Sequence, residues 1–375
     1  MKKFVFIPDS FKGTLSSKEI CSIMDQKVKE HFPNAQTVSI PVADGGEGSV
    51  DCFLSALGGE KVIVDCLNPY FEDMQGFYGL INGGKTAVIE MAACAGLPLV
   101  EDRKNPLKTT TYGVGQIILN AAKRGVKKII VGLGGSCTND FGLGAAAACG
   151  IKFLDKDKKA FIPTGGTLKD VDSIDFSEKS TLLDGVEIIT MCDIDNPPYG
   201  TNGAAYVFAP QKGADSQTVE FLDQGVKHLC AVLKDTTGQD LSNLSGGGAA
   251  GAMGAGMVAF FGSTLKMGID TVLDTVGFDS IISDADVVFT GEGKIDGQSL
   301  RGKVVIGVAK AAKKQGVPVI AVVGGADGDI SPAYGEGVSA VFTINKLPQD
   351  FSISRYQSKE NLAFAFDNIL RALKI

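Results

Sequence analysis

The chain has almost no histidine and no tryptophan: only His31 and His228 occur in 375 residues, and Trp is absent. Each histidine stands in an amphipathic helical stretch, His31 at its end in Lys-Glu-His-Phe-Pro, so both read as helix-surface residues. This scarcity excludes a Ser-His-Asp triad, a Cys-His pair and a His-rich metal site as the source of chemistry. Proton transfer would then fall to carboxylates and lysines. None of the eight cysteines forms a C-x-x-C pair, which removes zinc-ligand spacing. The apolar run near the start is only Phe-Val-Phe-Ile before Pro8 and Asp9, against about 7–15 residues for a secretory signal. The expectation is therefore reduced thiols and a cytoplasmic protein. There is no long Lys/Arg run, and the net charge is −7, which argues against nucleic acid as a partner. The long uncharged stretch Ser245–Leu265 is too rich in Gly and Ala to read as a membrane span. No G-x-G-x-x-G follows the first apolar run with an acid about twenty residues on, so a dehydrogenase is disfavoured.

What is abundant is glycine, 48 residues gathered in short loops without a G-X-Y period. With 44% hydrophobic and 21% charged residues, the chain has the core of a globular protein and the length for two domains. Residues 3–7, 37–42 and 61–65 read as strands separated by helices at 16–31 and 47–57, a βαβαβ opening that predicts a parallel sheet. Asn82-Gly83-Gly84 marks a hairpin. Further strands are expected at 128–131, 186–191, 204–208, 285–289, 317–323 and 339–344. Helices are expected at 112–124, 142–150, 219–233, 249–261, 304–314 and 360–373. The fold class is α/β with two α/β domains. Residues 1–67 plus 284–375 would form a discontinuous, flavodoxin-like or Rossmann-like parallel domain. Residues 68–283 would be a mixed α/β insertion, with the active site in the cleft between the two.

Several loops concentrate polar residues at expected strand ends. After the strand at 129–131, Gly134, Gly135, Ser136, Thr138 and Asn139 precede a helix, a pattern suited to cradling phosphate. It lacks the Gly-Lys-Ser/Thr of a P-loop. Gly246, Gly247 and Gly248 open a second small-residue helix and fit either a phosphate cradle or close packing. Asp193 and Asp195 follow the strand ending at Met191, where two carboxylates suit Mg²⁺ or proton acceptance. Lys12 is a point charge after the first strand. Asp44 and Glu47 sit among glycines after the second. The stretch 290–299 adds more polar groups at another strand end.

Seven stretches, PDSFKG (8–13), ADGGEGS (43–49), GLGGSCTND (132–140), DIDNP (193–197), APQKGA (209–214), GGGAAG (246–251) and TGEGKIDGQS (290–299), occur in one order over nearly the whole chain. In this the chain resembles the bacterial glycerate kinases that make 2-phosphoglycerate. The resemblance implies two α/β domains, ATP and Mg²⁺ as cosubstrates and D-glycerate as acceptor. Phe141 and Ala252 stand where that family commonly has Gly, and Pro198-Tyr199 where a Leu is common.

On this reading the 132–140 loop and the 246–248 turn hold the ATP phosphates, and Asp193 and Asp195 hold Mg²⁺. The base is one of those two or Asp140. Lys12 neutralises the acceptor carboxylate or the moving phosphoryl group. Ser10, Asp44, Glu47, Gln298 and Ser299 bind glycerate. The rivals are a kinase for another small hydroxy acid or sugar acid, and a non-catalytic nucleotide- or sugar-phosphate-binding regulator. The sequence does not set the oligomeric state, and a homodimer stays open.

Overall fold

The computed structural model describes every residue except Met1, Asp44, Gln298, Leu300, Arg301 and Ile375. The chain divides into two units, Met1–Asp44 with Asp51–Leu57 and Met267–Ile375, and Gly45–Val50 with Gly58–Lys266. In chain order the strands are β1 (Lys3–Pro8), β2 (Gln36–Ser39), β3 (Glu60–Leu67), β4 (Asp73–Ile81), β5 (Thr86–Glu90), β6 (Lys128–Gly132) and β7 (Lys152–Leu154). They continue with β8 (Ala160–Phe161), β9 (Ser173–Asp175), β10 (Glu187–Met191), β11 (Thr264–Lys266), β12 (Val287–Gly291), β13 (Val319–Val323) and β14 (Val338–Thr343).

The first unit holds a parallel sheet of order β14-β13-β12-β1-β2. Its inner strands β1, β12 and β13 are buried along their whole length, as their unbroken apolar runs require when helices cover both faces. Phe4, Phe6, Phe289 and Phe366 fill the core, with the Phe289 and Phe366 rings edge-on at 4.8 Å. The helix Ser17–His31 opens on a capping box between Ser16 and Glu19, which satisfies two amides that helix geometry leaves unpaired. His31 hydrogen-bonds Asp367 of the helix Ser358–Ala372 at 2.7 Å. It therefore ties two helices together instead of lying on an open surface.

The second unit holds a mixed sheet of order β11-β10-β6-β5-β4-β3 and a small sheet of order β8-β7-β9. β5, β6, β10 and β11 run parallel, while β4 pairs antiparallel with both β5 and β3. Here three expectations need correction. The strand at 61–65 does not continue the first sheet: β3 pairs antiparallel with β4, Glu60 opposite Leu80. Only residues 68–72 join the two strands, and a parallel crossover needs a dozen or more. The first unit also resumes at Met267, not 284, because the helix Gly268–Val276 belongs to it. A Cβ on Gly307 would stand 2.6 Å from the Ile269 side chain, which shows how closely that helix lies on Val304–Lys313. Finally, Ala204–Phe208 is a helix, not a strand. Ala204 and Ala205 are both buried while Tyr206 and Val207 are both exposed, a pairing of neighbours that strand alternation forbids. No helix among the described residues is long and apolar enough to cross a membrane.

Candidate active site

In the second unit three parallel strands end on one rung. Glu90 of β5 pairs with Gly132 of β6, and Gly132 pairs with Met191 of β10. The loops that follow leave from the same edge, where open α/β sheets place ligands. The segment Gly45–Val50 lies across it. Gly134 donates its amide to the Gly45 carbonyl at 3.1 Å, and Gly48 and Val50 donate to the buried Glu90 carboxylate at 3.1 and 2.5 Å. Glycine is required here: a Cβ on Gly132 would meet the Gly45 carbonyl at 2.2 Å, and one on Gly134 the Gly46 Cα at 2.5 Å. Glu47 of this segment is exposed.

The loop after β6 differs from the expected helix-start cradle. Its helix, Leu143–Ala148, is a short six residues, and its first amides are already taken. The Asp140 carboxylate, with no exposure, accepts from the Thr111 amide at 2.7 Å and hydroxyl at 2.8 Å. It also accepts from the amides of Gly142 at 3.2 Å and Gly144 at 3.3 Å. Burial pushes its pKa above the ordinary carboxylate value while those donors pull it down. Three of these bonds fall on Oδ2 and one on Oδ1, so Asp140 caps the turn, a structural role that stands beside the expectation of it as base.

The polar side chains are held from beneath. Lys212, from the APQKGA stretch, is 2% exposed and donates to Ser136 Oγ at 2.8 Å and to the Thr138 carbonyl at 2.7 Å. Burial pushes its pKa down to about 8, with the Cys137 thiol and Asp140 acting in the opposite sense. Thr138 Oγ1 and both amide atoms of Asn139 are buried without a partner. Gly135, with φ +77°, is the exposed tip of the loop.

The stretch after β10 packs on the second glycine-rich turn. Gly248 donates to the Asn196 carbonyl at 2.9 Å, and Gly247 to that of Leu244 at 2.9 Å. A Cβ on Gly248 would lie 2.3 Å from the Pro197 carbonyl, and one on Gly246 3.0 Å from Cys192 Sγ. Gly246, Gly247 and Gly248 thus serve close packing, one of the two readings of this turn: the amides of Gly247 and Gly248 are taken and the space at each Cα is filled. The following turn winds left-handed at Ala250, Gly251 and Ala252, with φ of +54°, +69° and +67°. Gly251 lies against Thr138 and Asn139, and its carbonyl accepts from the Phe141 amide at 3.1 Å. Phe141 is itself left-handed, φ +58°. Two of the departures from the glycine pattern, Phe141 and Ala252, are therefore residues held where glycine would be unstrained. Asp193 is half-buried and Asp195 exposed on this stretch.

In the first unit, the loops at 9–15 and 292–303 leave β1 and β12, whose last residues Pro8 and Gly291 pair. Ser10 is half-buried and donates its amide to Asp9 at 2.6 Å, and Lys12 is exposed. Ser299 is buried and exchanges bonds with Asp296 at 3.2 and 3.3 Å, which gives it a loop-shaping role besides any ligand. Asp44 and Gln298 lie outside the described residues. Sequence reasoning passed over Glu292 in the same stretch. It is 6% exposed with Oε1 unpartnered. Burial, with Asp9 and Asp296 nearby, pushes its pKa up to about 7 against the pull of Ser299 and Lys303. Lys212 was passed over too. The signal available was a carboxylate between two glycines at a strand end, and a lysine inside a matching motif.

Comparison with known proteins follows the same lines. The glycerate kinase family model matches residues 4–374. The chain is 41% identical to a glycerate kinase of Bacillus cereus, covering 100% of this chain and 98% of that one. It is also 41% identical to the glycerate 2-kinase of Escherichia coli, over 99% and 96% of the two chains. A crystal structure from Salmonella typhimurium LT2, described as a candidate glycerate kinase 2, is similar with a TM-score of 0.89 and 38% identity, covering 100% and 98%. With its motifs in one order and a family match running almost from end to end, this chain belongs to the glycerate kinase family.

Proposed function

We propose that the chain is an ATP-dependent glycerate kinase that transfers the γ-phosphoryl group of ATP to the 2-hydroxyl of D-glycerate, giving 2-phosphoglycerate. The observation that carries this is the gathering of the 132–141 and 192–198 stretches at one strand edge, in a chain of this family. Phosphoryl transfer asks mainly for positioning and charge neutralisation, so a site without histidine suffices.

In this reading the tip of the 132–140 loop, Gly134 to Ser136, meets the ATP phosphates, with Thr138 and Asn139 behind it. Among the described residues no group of three or more His, Cys, Asp or Glu is gathered as a metal set. Mg²⁺ arriving with ATP needs only one or two carboxylates beside phosphate oxygens, and Asp193 and Asp195 fit that donor set. The ion would neutralise charge on the phosphates. Lys12 provides a cation for the glycerate carboxylate or the moving phosphoryl group, and Ser10, Asp44, Glu47, Gln298 and Ser299 contribute to acceptor binding. Two carboxylates compete for the hydroxyl proton, Asp193 and Glu292. Burial brings Glu292 to about 7, and a base works best with a pKa near the working pH.

The test is ADP release from Mg-ATP with D-glycerate, the product position read by phosphorus NMR. Turnover to 2-phosphoglycerate is expected. Turnover to the 3-isomer overturns the regiochemistry, and absence of glycerate-dependent ADP release overturns the activity.

A further inference from the structure

We infer that Lys212 is a positioning residue for nucleotide binding, holding Ser136 so that its hydroxyl must donate outward to a phosphate oxygen. The inference rests on the kinase reading above and adds a residue to it. An ammonium group has three donors and no acceptor. Its 2.8 Å contact therefore makes Ser136 Oγ an acceptor from Lys212. The hydroxyl hydrogen of Ser136 is then left to donate to a group other than Lys212, on a residue that follows the exposed Gly135. The second contact, 2.7 Å to the Thr138 carbonyl, pins the loop two residues on.

A second observation points the same way. Thr138 Oγ1 and the Asn139 amide atoms are fully buried and unpartnered at this one loop, although buried polar atoms are ordinarily bonded. A loop with spare polar groups and a cation beneath it is built to be completed by an anion. The charged and titratable groups facing Lys212 are Cys137 and Asp140. Burial pushes the Cys137 thiol up to about 12, so it stays neutral. Asp140 is occupied by its four donors.

ATP binding by calorimetry and KM for ATP in the ADP-release assay test this on Lys212→Met, Lys212→Arg, Ser136→Ala and the double variant Lys212→Met/Ser136→Ala. Lys212→Met should weaken ATP about tenfold or more, with a smaller effect on KM for glycerate. Ser136→Ala should do likewise, and the double variant should add little, because both changes remove one arrangement. ATP affinity of the wild type should fall as pH rises from 7.5 to 9.5, by at most about tenfold per unit. Lys212→Arg should remove that slope, since guanidinium keeps its proton. A folded Lys212→Met with unchanged ATP affinity, or full additivity in the double variant, overturns the inference. If Lys212→Met does not fold, a flat wild-type pH profile together with normal ATP affinity in Ser136→Ala overturns it. Wild-type protein that binds no ATP overturns the kinase reading as well. Wild-type turnover with indifferent Lys212 variants overturns this inference alone.

Discussion

The two glycine-rich turns of the second unit look alike in sequence and differ in cause. In GLGGSCTND the glycines let backbone segments cross, and polar side chains follow with a buried lysine behind them. In GGGAAG the glycines are consumed by packing: carbonyls of Leu244, Pro197 and Thr138 occupy the places that side chains at Gly247, Gly248 and Gly251 would fill. Richness in glycine reports that something comes close. Whether that something is a ligand or the chain's own backbone depends on what fills the space.

Five changes would sharpen or break this contrast. The largest effect is expected from Asp193→Asn, on the stretch lying against the packing turn. It should lower kcat by about 10³-fold or more with an unchanged melting temperature, as removal of a group acting on developing charge does. A near-normal rate would remove Asp193 from the mechanism. Next, Gly248→Ala should cost about 3 kcal/mol of stability, since its new Cβ meets backbone that cannot yield. Gly135→Ala, at an open tip where the nearest atom would be 3.5 Å away, should cost only about 1–2 kcal/mol of left-handed strain and act chiefly on KM for ATP. Equal denaturation midpoints for these two variants would break the comparison.

Glu292→Gln follows in size. The folded pKa of Glu292, raised from 4.5 to about 7, means that the folded chain binds the extra proton between those values. Its contribution is then fully present below pH 4.5 and is lost as pH rises towards 7. The variant should therefore be more stable than wild type at pH 8, by about 1–3 kcal/mol, while losing activity. Urea denaturation at pH 5 and pH 8 checks the sign. Lys212 has the reverse linkage. Its folded pKa is lowered from 10.5 to about 8, so stability of the ligand-free chain should rise between pH 8 and 10.5. Over the lower part of that window ATP affinity should fall. The smallest effect is Ala252→Gly. Relief of strain at φ +67° is partly offset by glycine's greater freedom in the unfolded chain, leaving a gain of about 0.5 kcal/mol.

Much of the fold was readable because its signals are local. The unbroken apolar runs of β1, β6, β12 and β13 and the capping box at Ser16 name their own conformation. So does the turn at Asn82-Gly83, where β4 and β5 pair antiparallel across it. Ala204–Phe208 misled because five apolar residues carry no period that separates helix from strand. Of the candidate site, the loop at 134–139 and the pair Asp193 and Asp195 lie at the ends of β6 and β10 as read. The capping role of Asp140 was not legible because it depends on Thr111, far away in the chain. Lys212 and Glu292 went unseen because burial gives them their properties, and a residue's burial is set by partners distant in sequence.

The sequence by itself determined the elements, the order of the motifs and, through them, the family. Only the tertiary structure decided that β3 turns back on β4, that Asp140 caps a turn, that one glycine-rich turn packs while the other stays polar, and that a lysine lies under the latter. The physical reason is the same in each case. Local conformation follows from neighbours along the chain, whereas hydrogen-bond saturation, desolvation and close contact are properties of space, and space is shared by residues the chain keeps far apart.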